Sequence, residues 1–153
     1  MSNAAQISPL TRHLGYWLRF VSNHVSHAFA QKVEARGVTV AEWVVLRELL
    51  ENGPMSPSAL ADHLGLTRGA ITKLADRLIV KSMIGRAFRL DDRRCQILEI
   101  HDKGRELVPL LAALADRNEC EFFGHMSESD RETLGRLMRD LVRYHKLKTI
   151  PTE

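Results

Sequence analysis

Residues 56–81 read SPSALADHLGLTRGAITKLADRLIVK, and this stretch constrains the fold more than any other part of the chain. Ser56 is a strong helix N-cap, and Pro57 stands at the first helical position, where a missing N–H does no harm. Ala59, Leu60, Ala61 and Leu64 give a short apolar face. Gly65 then breaks the helix, because it tolerates the positive φ of a left-handed turn. Thr67 caps a second helix that reaches about Lys81, with Ala70, Ile71, Leu74, Ala75 and Leu78 at helical spacing. Ala61 lets the two helices approach, Gly65 turns the chain, and Ile71 anchors the second helix on the first. That spacing predicts a tight helix-turn-helix.

The outward face of the second helix carries Arg68, Gly69, Thr72, Lys73, Asp76 and Arg77. Small residues near its start leave room for base edges, and the N-terminal end of a recognition helix is where such contacts form. Over residues 84–90 the helical period disappears. Asp91-Asp92 make a turn, and residues 97–100 read as a returning strand. Two strands around an Asp91-Asp92-Arg93-Arg94 tip form a β-hairpin wing. Residues 68–94 hold eight Lys/Arg against three Asp, so this segment is +5 in a chain that is +3 overall. Positive charge is concentrated where a polyanion would dock. The candidate contacts to double-stranded DNA are Ser56, Thr67, Arg68, Gly69, Thr72, Lys73, Arg77, Arg86, Arg93 and Arg94. Arg favours the narrow minor groove, and Asp92 could steady one wing arginine through a bidentate pair. The plainer alternative is a solvated helix face and a charged hairpin tip that keeps strand edges soluble.

Here the sequence resembles the MarR family of bacterial transcription regulators. The resemblance is carried by LADHLGLTRGAITKLADRL, by Met83-Ile84, by the wing tip Asp91-Asp92-Arg93-Arg94, and by His101-Asp102-Lys103-Gly104 at the start of the next helix. The family usually shows Leu-Thr before the Lys-Gly pair; Ile100-His101 stands there in this chain, so the usual Thr cap is missing. The resemblance implies a mainly α protein with a small β-hairpin wing. This is a winged helix-turn-helix whose N- and C-terminal helices interlock with those of a second chain. Many members bind small aromatic acids or phenols between the helix bundle and the winged lobe. In this chain His13, Tyr16, Trp17, Trp43 and Arg47 would line such a cleft, aromatic walls and one cation suiting a carboxylate. Trp17 and Trp43 would serve equally well as core residues.

The flanking segments point the same way. From residue 8 to residue 36 Leu10, Leu14, Trp17, Val21, Val25, Ala28, Phe29 and Val33 recur at three and four. About 29 residues would span roughly 43 Å, too long for one small lobe to cover, so the apolar stripe calls for a second subunit. Gly37 ends this helix. Thr39 and Glu42 form a capping box for a helix to about Glu51, and Asn52-Gly53-Pro54 is a turn. A helix over residues 102–123 contains Pro109, which would bend it. Gly124 breaks it, and Ser127 opens a last helix to about Lys146 with an acidic first turn. The chain thus divides into an N-terminal dimerisation helix (1–36), a winged helix-turn-helix (37–101) and C-terminal dimerisation helices (102–153), all one intertwined unit. Two-fold symmetry in a homodimer would be mirrored in an inverted-repeat operator.

Other classes find little support. There is no P-loop, GxGxxG, GxSxG or HExxH pattern, so no enzyme is expected. A winged-helix module that contacts protein alone would carry an acidic or apolar recognition face. Seven histidines include His24 and His27 at i, i+3, but no Cys or carboxylate completes a ligand set, and neither metal nor cofactor is expected. Cys95 beside Arg93 and Arg94 is the candidate for a redox switch, against the alternative of a small packing residue. The redox-sensing branch of the family has its reactive Cys near the N-terminus, where this chain has none. No apolar run approaches the roughly 20 residues of a membrane span, and no secretory segment precedes the first helix, so the cytoplasm is the expected compartment.

Overall fold

A computed structural model describes residues 7–88, 90–92, 95–148 and 150–152. Six helices and one hairpin follow in the order α1 (Leu14–Glu34), α2 (Val40–Asn52), α3 (Pro57–Leu64), α4 (Arg68–Val80), β1 (Ile84–Phe88), β2 (Gln96–Ile100), α5 (Asp102–Phe123) and α6 (Glu128–Tyr144). The caps read in the sequence are in place. Thr39 Oγ1 accepts from the Glu42 N–H at 3.2 Å while the Glu42 carboxylate accepts from the Thr39 N–H at 3.1 Å. Ser127 Oγ likewise accepts from the Asp130 N–H at 3.1 Å. His101 precedes α5 without any side-chain cap bond, as the missing Thr implies.

The first helix is shorter than its apolar period suggests. Leu10–Arg12 form a separate 3-10 turn, and α1 begins only at Leu14, giving 21 residues and about 32 Å. Two local causes interrupt the helix. Pro9 holds an extended backbone ahead of the turn, and His13 is extended at φ −91°, ψ 126°. The Trp17 indole N–H then donates to the Thr11 carbonyl at 2.8 Å, fixing the turn against the first helical residues. Pro109 leaves α5 continuous, at the loss of the bond its N–H would have made to the Arg105 carbonyl.

The core lies between α2, α3, α4, the hairpin and the start of α5. Leu46, Leu49, Leu60, Leu64, Ile71, Leu78, Ile84 and Leu98 are all essentially inaccessible to solvent. Strands β1 and β2 pair antiparallel, with Ile84 opposite Ile100 and Arg86 opposite Leu98. Leu98 is also bonded on its other side. Its N–H donates to the Met55 carbonyl at 2.9 Å and its carbonyl accepts the Met55 N–H at 3.1 Å, which roots the hairpin on the segment before α3.

Helices α1 and α5 are joined by a small polar network. Buried Asn118 donates to the Val25 carbonyl at 3.2 Å and accepts from Lys32 Nζ at 3.0 Å. Lys32 also pairs with Glu121 at 2.8 Å, and Arg117 reaches the same carboxylate at 2.9 Å. Lys32 first and Arg117 second hold the Glu121 carboxyl below its ordinary range. Beyond this joint the long helices are poorly covered by their own chain. Leu14, Leu18 and Phe20 of α1 and Leu137, Met138 and Leu141 of α6 remain exposed, and α6 buries no residue.

Candidate nucleic-acid interface

The helix-turn-helix is built by its caps. Ser56 Oγ accepts from the Ala59 N–H, and Thr67 Oγ1 from the Ala70 N–H, each at 3.1 Å. Both hydroxyl oxygens are therefore committed to helix starts, while each hydroxyl proton remains a donor that can meet a phosphate. Gly65 sits at φ 64°, ψ 28° between the helices. The Leu66 N–H then closes back on the Ala61 carbonyl at 3.0 Å. That left-handed corner aims α4 outward.

Helix α4 divides cleanly. Ile71, Leu74, Ala75 and Leu78 are buried, whereas Arg68, Gly69, Thr72, Lys73, Asp76 and Arg77 are exposed. A Cβ placed on Gly69 would meet nothing within 4 Å, so the first turn presents bare backbone. The Thr72 hydroxyl donates to the Arg68 carbonyl at 2.9 Å, which leaves its oxygen as an acceptor. Among the described residues, no ion pair engages Arg68, Lys73 or Arg77. The arrangement offers three cations, in no ion pair among the described residues, and an acceptor on one exposed face, which suits phosphates and base edges in a major groove.

The wing is less uniform. Arg86 on β1, expected as a DNA contact, is paired with Asp76 of α4, and this bridge ties the hairpin to that helix. Asp92 and Cys95 close the tip turn, the Cys95 N–H donating to the Asp92 carbonyl at 3.0 Å and Cys95 Sγ lying 3.6 Å from the Asp92 carboxylate. Arg93 and Arg94 lie outside the described residues, and with them the minor-groove contact and the pair expected of Asp92.

The five residues expected to line a ligand cleft fall into two groups. Trp43 is a core residue of α2, and the Arg47 guanidinium lies over its ring at 5.4 Å while donating to Glu51 at 2.7 Å. Tyr16 and Trp17 stand near the start of α1 in a row of rings that continues through Phe20 to His24, and His13 lies just before that helix. Three further features went unread in the sequence: the Met55–Leu98 bridge, the Asp76–Arg86 pair, and an ion pair between Glu42 and Lys81. Only Glu42 carried a signal, its capping box, and that signal gave one of its two roles.

A helix-turn-helix with a hairpin rooted beside it, set between long helices, defines a winged helix-turn-helix transcription regulator. Comparison with known proteins narrows this. The MarR family model matches residues 38–96. The transcriptional repressor MdtR of Bacillus subtilis is 35% identical over 74 residues, which make up 48% of this chain and 48% of MdtR; the match thus spans about half of the relative's length. The fold recurs in Bordetella bronchiseptica BpsR, whose DNA binding is regulated by 6-hydroxynicotinic acid (TM-score 0.76, 21% identity, 88% of this chain and 96% of that one). It recurs again in a mutant MarR from Escherichia coli complexed with operator DNA (TM-score 0.76, 20% identity, 88% and 99%). Residues 38–96 thus carry a MarR family domain, and the chain around it shares the fold of MarR proteins.

Proposed function

We propose that this regulator is a homodimer that binds an inverted-repeat operator in duplex DNA and represses a nearby operon. The observation that carries the proposal is the outward face of α4. Arg68, Thr72, Lys73 and Arg77 stand exposed on a helix whose other side is sealed into the core, and none of its three cations is in an ion pair among the described residues. MdtR is described as a repressor and the E. coli relative is complexed with operator DNA, which supports the same reading. Ser56, Thr67 and Gly69 would meet the backbone around the major groove. Arg86, Arg93 and Arg94, with Asp92 in support, would serve the wing.

The effector we propose is a small aromatic acid. The ring row on α1 and the Arg47–Trp43 stack offer aromatic faces and a guanidinium, and BpsR responds to a ligand of that chemistry.

Competition binding against a randomised duplex pool at two salt concentrations tests the proposal. The expected result is a selected site with two half-sites about 10 bp apart and an affinity that falls steeply as salt rises. Selection of no sequence, or of a single half-site protected by one chain, would overturn it. A panel of aromatic acids added to the selected complex tests the effector, with release of DNA as the supporting outcome.

A further inference from the structure

Glu42 has a second task besides capping α2. Its side chain is 1% exposed, and its Oε2 accepts both the Thr39 N–H and Lys81 Nζ, the latter at 2.7 Å. Lys81 is the residue that ends α4. Its own carbonyl, one of the helix-terminal acceptors without a partner inside the helix, is taken by Lys103 Nζ at 2.9 Å from the first turn of α5. Close approach makes this reach possible. A Cβ at Gly104 would come within 2.5 Å of the Met83 carbonyl oxygen, so the start of α5 is seated directly on the chain leaving α4. The last turn of α4 is thus held from two sides, by a buried carboxylate of α2 and by an ammonium of α5.

From this we infer that Glu42 and Lys81 are positioning residues for DNA recognition: they fix the exit end of α4, and with it the angle at which Arg68 and Thr72 at the other end meet the bases. The inference rests on the proposal that α4 reads DNA. It also separates Lys81 from the other cations of the basic segment. An ammonium bound to a buried carboxylate is already neutralised and contributes little to phosphate binding. Lys103, in turn, links the placement of α5 to that of α4.

The test compares wild type, Lys81→Met and Glu42→Gln on the selected operator and on non-specific duplex. Preference for the operator is expected to fall about tenfold in Lys81→Met, as for a lost base contact, with the salt dependence of binding unchanged. Glu42→Gln keeps an oxygen for the Thr39 N–H and removes only the charge that holds Lys81. It should lose preference in the same direction and carries the comparison should Lys81→Met fail to fold. A salt slope shallower by about 1 per half-site in Lys81→Met would mark Lys81 as a phosphate ligand and overturn the inference, as would unchanged preference in both variants. Amide exchange separates this inference from the reading it rests on. Exchange at Val80 and Lys81 should quicken in Lys81→Met while exchange at Ile71 does not, whether or not the wild type selects a sequence. A wild type that selects none would overturn the DNA reading, and unchanged exchange would overturn the clamp.

Discussion

Ser82 holds φ +61° where α4 gives way to β1. Its N–H donates to the Ile79 carbonyl at 2.9 Å, and the Met83 N–H closes on the Leu78 carbonyl at 3.0 Å. The same pair of bonds ends α3 at Gly65, where the missing Cβ makes the left-handed backbone cheap. At Ser82 the Cβ is present, and the conformation costs about 1–2 kcal/mol. Ser82→Gly should therefore raise stability by roughly 0.5–1 kcal/mol after glycine's larger loss of backbone freedom, seen as a higher urea midpoint with an unchanged slope. On the recognition face two arginines are assigned different tasks. Arg68, in the first turn, should read a base: Arg68→Ala is expected to cost about 1–3 kcal/mol on the best operator and to relax preference at one position per half-site. Arg77, about two and a half turns along, should hold phosphate: Arg77→Ala is expected to weaken all sequences alike and flatten the salt slope by about 1 per half-site. Competition binding at two salt concentrations distinguishes these outcomes, and an altered preference in Arg77→Ala alone would reverse the assignment.

Between elements, the α1–α5 joint is the clearest case of polar groups fixing a helix pair. Asn118→Ala would remove the bonds that tie the Val25 carbonyl and Lys32 to α5 through this side chain, leaving Lys32 its pair with Glu121, and should cost about 0.5–1.5 kcal/mol for each bond lost, read in urea unfolding. Glu121 adds a pH dependence of known sign. Its carboxyl is held below the ordinary range in the folded chain. Its contribution is therefore fully present above the unfolded value, about 4.3, and is lost as pH falls through the lowered folded value. Glu121→Gln should lower stability at neutral pH, where the contribution is fully present, and flatten the loss of stability as pH falls through the acidic range. Element boundaries were legible wherever a side chain caps a helix or a left-handed glycine ends one, as at Thr39, Ser56, Gly65 and Thr67. The start of α1 was not, because the apolar period runs unbroken through Leu10 and Leu14 while Pro9, His13 and the Trp17–Thr11 bond decide where the helix begins. The Met55 bridge is a single residue and has no period to read. The site divides along the same line. Which α4 residues face outward follows from spacing alone, whereas the Asp76–Arg86 and Glu42–Lys81 pairs join residues 10 and 39 apart and exist only once the chain has folded.

For the whole molecule, the uncovered apolar faces of α1 and α6 set the expectation of a dimer. Light scattering should give twice the 17.4 kDa of one chain. Changing Leu137 and Leu141 together to Glu, on the exposed stripe of α6, should return the mass to a single chain and weaken operator binding sharply, since one lobe alone holds only one half-site. A dimer that survives this double change would place the interface elsewhere. The two tryptophans of the chain have contrasting surroundings: Trp43 is 6% exposed in the lobe, and Trp17 is 49% exposed near the start of α1. An indole in the core emits at shorter wavelength than one in water, so the intrinsic fluorescence of a separated chain should contain a blue component from the lobe and a redder one from the helix. Dilution through the association range should shift only the redder component, and denaturant should then shift the blue one. Trp17→Phe should leave a spectrum that responds to unfolding and is silent to dilution, so that subunit separation and lobe melting can be followed in one cuvette without a label.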